Sequence, residues 1–205
     1  YIYLNRLYTA ETYIAGRISL MLGNVPPDDK DFSKEIARLE QQLDIEYDEL
    51  QRKAVKMALN SGVFILTGGP GTGKTTTLNA ILFLLEQQGE KVALAAPTGR
   101  AAKRMSEVTG REASTIHRLL EVDYRDPETG KHNFKRDEKN PLRQSVVILD
   151  EVSMVDTPLM CSLMRALRLS SRLILVGDPD QLPSVGPGNL LRDMIASDVI
   201  PTVHL

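Results

Sequence analysis

Residues 63–75 read VFILTGGPGTGKT: an apolar run, Val63-Phe64-Ile65-Leu66, passes directly into a glycine-rich turn that closes on Lys74 and Thr75. The turn, residues 68–75, fits the pattern G-x-x-x-x-G-K-[ST] in the strand-to-helix setting that pattern requires. Glycines let successive backbone N–H groups face an anion without interference from Cβ atoms. Lys74 adds a mobile positive charge, and Thr75 can offer its hydroxyl to Mg²⁺. Residues 75–88 read as a helix, whose first N–H groups and dipole favour a phosphate at that end. A nucleoside triphosphate held by Gly69, Pro70, Gly71, Thr72, Gly73, Lys74, Thr75 and Thr76 is therefore expected.

Working outward, three more short apolar runs occur at 92–96, 146–149 and 173–176, with helical segments between them. Near-continuous apolar strands imply burial on both faces, which is the signature of a parallel sheet covered by right-handed crossover helices. The expected fold is an α/β, RecA-like P-loop core. Chemistry-bearing residues follow the strand ends at Gly68, Thr98, Asp150 and Asp178, the edge at which open α/β sheets collect ligands. Residues 200–205 can add one more short strand.

Ahead of this core, residues 1–22 carry apolar side chains at helical spacing, and 23–30, with Pro26-Pro27, read as a break. Ser33 suits the N-cap of a helix through Leu43, and Asp48 can begin another that runs to Asn60 and ends at Gly62. This pattern describes a helical lead-in, 1–47, followed by an α/β domain, 48–205. Within that domain the polar stretch at about 121–142, with Asp126-Pro127 and Thr129-Gly130, reads as an inserted β-hairpin.

Composition bounds the rest. With 42% hydrophobic and 25% charged residues, and no apolar run near the roughly 18 residues of a membrane span, a membrane role is not expected. The single cysteine, Cys161, lies in a helix-like apolar pattern and reads as a buried thiol of a reducing compartment. A net charge of −2 does not advertise a nucleic-acid binder, so any DNA contact must be local. The chain starts at Tyr1 without the features of a signal peptide and reads as an excised fragment.

Asp150-Glu151 closes the run 146–149 and sets two carboxylates side by side. A strand-end aspartate suits the Mg²⁺ shell, and an adjacent glutamate suits polarising the attacking water; the plainer role for Glu151 is to cap a loop. Asp156 reads as an N-cap. After the next apolar strand, Gln181 can reach the γ-phosphate with a neutral amide, and the Pro- and Gly-rich residues behind it can carry movement outward. Arg100, Lys103 and Arg104, with Ser114, Thr115, His117 and Arg118, make one locally basic zone that fits DNA backbone contacts or, equally, a solvated helix face with Thr98 and Ser114 as caps. Gln51 beside the apolar stripe of its helix is either a surface residue or a reader of adenine.

In order, the blocks GGPGTGKTT, APTGRAAKRM, STIHRLL, LDEVSMVD and GDPDQLPSVGPGN resemble the first motor domain of superfamily 1 DNA helicases, specifically the RecD-like group. The resemblance spans 48 to about 205, and residues 1–47 are similar to the region preceding the motor in stand-alone bacterial RecD-like helicases. It implies ATP- and Mg²⁺-dependent 5′ to 3′ translocation on single-stranded DNA and unwinding at duplex junctions. It also implies a monomer in a bacterial cytoplasm, serving DNA repair and recombination. On matching positions it makes Gln51 an adenine contact, Lys74 and Thr75 phosphate and Mg²⁺ ligands, Asp150 a metal partner, Glu151 the water partner and Gln181 the γ-phosphate sensor. Thr98, Arg100, Thr115 and His117 fall in segments that touch DNA in such helicases, and the insert around 124–134 corresponds to a hairpin that helps split the duplex.

The later family motifs, with their arginine finger and second RecA-like domain, have no counterpart before Leu205. Such a finger contributes on the order of a thousandfold in rate, so this chain alone is expected to bind nucleotide and barely hydrolyse it. Two other classes compete: a nucleotide-gated DNA-binding module without catalysis, and a small-molecule P-loop kinase. Glu151 speaks against the first and the Gln181 block against the second.

Overall fold

The computed structural model describes residues 4–24, 30–125 and 132–205. At its centre is a six-stranded sheet made of β1 (Val63–Thr67), β2 (Val92–Ala96), β3 (Ala113–Thr115), β6 (Val146–Leu149), β7 (Arg172–Gly177) and β8 (Thr202–His204). The spatial order is β3-β2-β6-β7-β1-β8, and every neighbouring pair is parallel. A separate antiparallel pair, β4 (Val122–Arg125) and β5 (His132–Phe134), lies within the expected insert. The turn residues expected at 126–130 lie outside the described residues.

Alternation along the strands divides the core into two layers. Val63 and Ile65 of β1 pack with Val147, Leu149, Leu173 and Leu175 on one face, while Phe64 and Leu66 pack with Val146, Ile148, Ile174 and Val176 on the other. Both layers are covered, which is why β1 and β6 are buried at every position. The first face receives α1 (Asn5–Asn24), α7 (Thr157–Ala166) and α8 (Leu190–Ala196). The second receives α2 (Ser33–Leu43), α3 (Glu49–Asn60), α4 (Lys74–Gln87) and Met105 of α5 (Gly99–Thr109). A four-residue helix, α6 (Ile116–Leu119), leads into β4.

The two lead-in helices are built into this sandwich on opposite faces. Ile14, Ile18 and Met21 of α1 enter the first layer, and Ile36 and Leu39 of α2 enter the second. Burying such side chains stabilises by about 1.5–3 kcal/mol each, so both helices contribute to the stability of the sheet. Polar contacts fix α1 further: the Tyr13 hydroxyl donates to Glu138 Oε1 at 2.5 Å, Arg165 stands 4.4 Å over the Tyr13 ring, and Arg17 donates to the Leu167 carbonyl. Burial first, and then the hydrogen bond to Glu138, push the Tyr13 phenol up to about 12.

Local chemistry explains most boundaries. Asp48 caps α3 through a reciprocal box, accepting from Gln51 N at 2.8 Å while Gln51 Oε1 accepts from Asp48 N at 3.0 Å. Asp156 caps α7 by accepting from Leu159 N at 2.8 Å, and Cys161 of that helix is buried. Two boundary expectations need correction. The cap position of α2 is Phe32, without a side-chain cap bond, because Ser33 instead donates to Asp31 Oδ1 through both its N–H and its hydroxyl. α3 runs to Asn60 as expected, but its C-cap is Ser61, in an extended conformation, rather than Gly62. Strand β3 and the 3-10 turn Val152–Met154 are not legible in the sequence, since neither run is long enough to show a period.

Candidate functional site

The carboxyl ends of β1, β6 and β7 open into one cleft of about 470 Å³. Pro70, Gly71, Gly73, Lys74, Thr75 and Thr76 form one wall, with Asp150, Glu151, Asp178, Gln181 and Arg104 opposite or beside them. Sheet order explains the convergence: β6, β7 and β1 are adjacent in the sheet although they are far apart in sequence.

The phosphate-binding turn is shaped by its backbone. Gly73 sits at φ +90°, a conformation that disfavours any side chain, and a Cβ there would also displace the Gln51 amide end. Gln51 therefore reaches the turn through its amide nitrogen while its oxygen is held in the α3 capping box. Lys74 Nζ donates to the carbonyls of Gly68 and Gly69, the latter at 2.7 Å. Thr72 donates its hydroxyl to Gly69 O at 3.0 Å, so Gly69 and Thr72 brace the turn from behind the cleft wall.

Opposite the turn, Asp150 Oδ1 accepts from Glu151 N at 2.8 Å, and Glu151 adopts a left-handed backbone with φ +53°. A non-glycine residue held there costs on the order of 1 kcal/mol, and such residues cluster at functional sites. Burial raises the Asp150 carboxyl, with the Glu151 N–H and the charges of Arg104 and Lys74 pulling it back. Glu151 is raised by burial and then by the neighbouring Asp150 charge, with Arg104 and Arg100 opposing. Among the described residues no group of three or more His, Cys, Asp or Glu side chains could hold a metal by itself. Mg²⁺ is commonly held by one or two protein oxygens together with substrate phosphates. Thr75 and Asp150, both on the cleft wall, fit that arrangement.

At the end of β7, Asp178 is buried and organises Gln181: its carbonyl accepts from Gln181 N at 3.2 Å and its Oδ2 from Gln181 Nε2 at 3.4 Å. Beyond it, Leu182 and Val185 stand exposed to solvent. Gly177 lets the end of β7 approach the 3-10 turn, since a Cβ there would lie 2.9 Å from Leu191 Cδ2 and 3.3 Å from Val152 N.

The four DNA-contact candidates lie elsewhere, on the adjoining β2 and β3 portion of the same edge. Thr98 caps α5 by accepting from Ala101 N, and Thr115 caps α6 by accepting from Arg118 N, both at 3.2 Å. Arg100 is exposed. His117 lies with its ring centroid 5.9 Å from that of Phe134, joining α6 to the hairpin. Arg136 closes the hairpin base on Glu121 at 2.6 Å. Two cleft residues go beyond the sequence reading. Asp178 is legible there only as a strand end, and Arg104 only as part of the basic zone; its spacing of three from buried Ala101 is the available signal that it flanks the sheet.

The family described as AAA domain matches residues 51–187. The RecD subunit of the RecBCD enzyme from Mycolicibacterium smegmatis is 43% identical over 170 residues, covering 72% of this chain and 30% of that protein. The ATP-dependent RecD2 DNA helicase of Deinococcus radiodurans is 39% identical over 204 residues, covering 100% of this chain and 27% of that protein. The chain thus spans about three-tenths of the length of these relatives. Among solved structures, the Pif1 helicase of Candida albicans aligns with a TM-score of 0.55 at 24% identity, over 78% of this chain and 40% of that one, a likeness of fold.

Proposed function

This chain belongs to the AAA-domain family, and from that premise we propose that it is the ATP-binding part of a RecD-like DNA helicase that moves 5′ to 3′ on single-stranded DNA. The observation that carries the reading is the gathering of Lys74, Thr75, Asp150, Glu151 and Gln181 around one cleft at the strand ends. Homology to RecD and RecD2 proteins supports it, and the direction of travel rests on the RecD-like resemblance.

In this reading the turn at 68–75 and Lys74 hold the phosphates of ATP, and Gln51 faces the adenine. Thr75 and Asp150 hold Mg²⁺, which when bound neutralises phosphate charge and orients the terminal group. The Glu151 carboxylate accepts a proton from the attacking water, and Gln181 exchanges its bond with Asp178 for one with the terminal phosphate. Thr98, Arg100, Thr115 and His117 border the DNA path, and the β4–β5 hairpin stands at the duplex junction. Residues 48–205 form the motor unit and 1–47 its lead-in, acting in a bacterial cytoplasm as a monomer. The decisive experiment is unwinding by the intact protein of duplexes carrying either a 5′ or a 3′ single-stranded tail. Only the 5′-tailed substrate should open; unwinding from the 3′ tail alone overturns the direction, and none from either overturns the helicase reading.

A further inference from the structure

Arg104 is the cleft residue that the proposed chemistry leaves unused. It projects from α5, whose Ala101, Ala102 and Met105 are buried, and it lines the same cleft as Lys74, Asp150, Glu151 and Gln181. Among the described residues its guanidinium makes no hydrogen bond or ion pair, whereas Lys74 already donates to two carbonyls of the turn. Its charge is nevertheless felt by both carboxyls, more strongly at Asp150 than that of Lys74. A guanidinium free of carboxylate partners, at the acidic end of a triphosphate cleft, has the fork geometry and charge to take a phosphate oxygen.

We propose that Arg104 is a further phosphate-binding residue, a cation supplied by α5 that contacts the terminal phosphate of bound ATP. The inference rests on the helicase reading for the identity of the ligand. Thr98 caps the start of α5 on the edge assigned to DNA, and Arg104 lies about 9 Å further along the same rigid helix. One short element then meets DNA at its start and the terminal phosphate near its middle.

The test is equilibrium binding of ATPγS and of ADP to the intact protein, unmodified and as Arg104→Ala and Arg104→Lys. Arg104 is exposed, so its replacement leaves no cavity. Loss of a charge-assisted contact should weaken ATPγS about tenfold in Arg104→Ala, with ADP changed less than about twofold and Arg104→Lys recovering part of the loss. Equal weakening of both nucleotides, or no change in either, overturns the proposal while leaving the helicase reading intact. Absence of nucleotide binding by the unmodified protein overturns both.

Discussion

The two halves of the sheet edge use the same residue types differently. At β6, β7 and β1, charged groups from separated parts of the chain converge on a cleft, and Glu151 is held in a left-handed conformation beside Asp150. At β2 and β3, the hydroxyls of Thr98 and Thr115 are already bound as helix caps, and Arg100 faces solvent. In the first half burial raises both carboxyls, and the neighbouring Asp150 charge raises Glu151 further. The second leaves Arg100 on an open surface, which under the proposed function suits contacts to the backbone of a moving DNA strand. Preorganised charge is suited to chemistry, and satisfied hydroxyls with solvated cations are suited to reversible grip.

The halves part most sharply at Glu151. Glu151→Gln in the intact protein should lower ATP turnover by about a hundredfold or more while leaving nucleotide affinity nearly unchanged. A base must be ionised to act, and Glu151 is raised by burial and by Asp150, so the acid limb of kcat/KM should lie above the ordinary glutamate range. Unaltered turnover would remove the distinction between the two halves.

On the other half, Arg100→Ala should reduce the slope of log DNA affinity against log salt by about one, equally for all sequences. Thr98→Ala should cost about 1 kcal/mol in chemical denaturation, because its hydroxyl caps α5. A salt slope identical to that of the unmodified protein would return Arg100 to an ordinary solvated face.

The smallest effect lies where the halves are tied together. Arg111, just before β3, forms a two-pronged pair with Glu86 of α4, both bonds at 2.6 Å. That hydrogen bonding lowers the Glu86 carboxyl, so the stabilisation is present above the unfolded-state value and disappears as pH falls through the folded one. Since both side chains are partly exposed, Glu86→Gln should cost less than about 1 kcal/mol near neutral pH and nothing in acid, measured by denaturant midpoints.

Much of the fold is legible in the sequence because it is local. The strand-to-turn pattern at 63–75, the capping aspartates at 48 and 156 and the four apolar strands all act through neighbours within a few residues, so sequence spacing carries their physics. Ser33 does not act as the cap because it is the first residue of the helix and its own N–H and hydroxyl donate to Asp31, a choice between two local bonds that spacing does not settle. Arg104 and Asp178 are only partly legible because their roles depend on what lies across the cleft, not on their neighbours in the chain.

By itself the sequence determined a phosphate-binding turn, a parallel α/β core and the acidic pair that follows a buried strand, since glycine geometry and apolar periodicity act over short range. Tertiary structure alone decided that β6 and β7 insert between β2 and β1, that α1 and α2 cover opposite faces, and that Arg104 lines the cleft while Thr98, at the start of the same helix, does not. Those outcomes depend on which strands pair and which helix faces are buried, and long-range packing sets both.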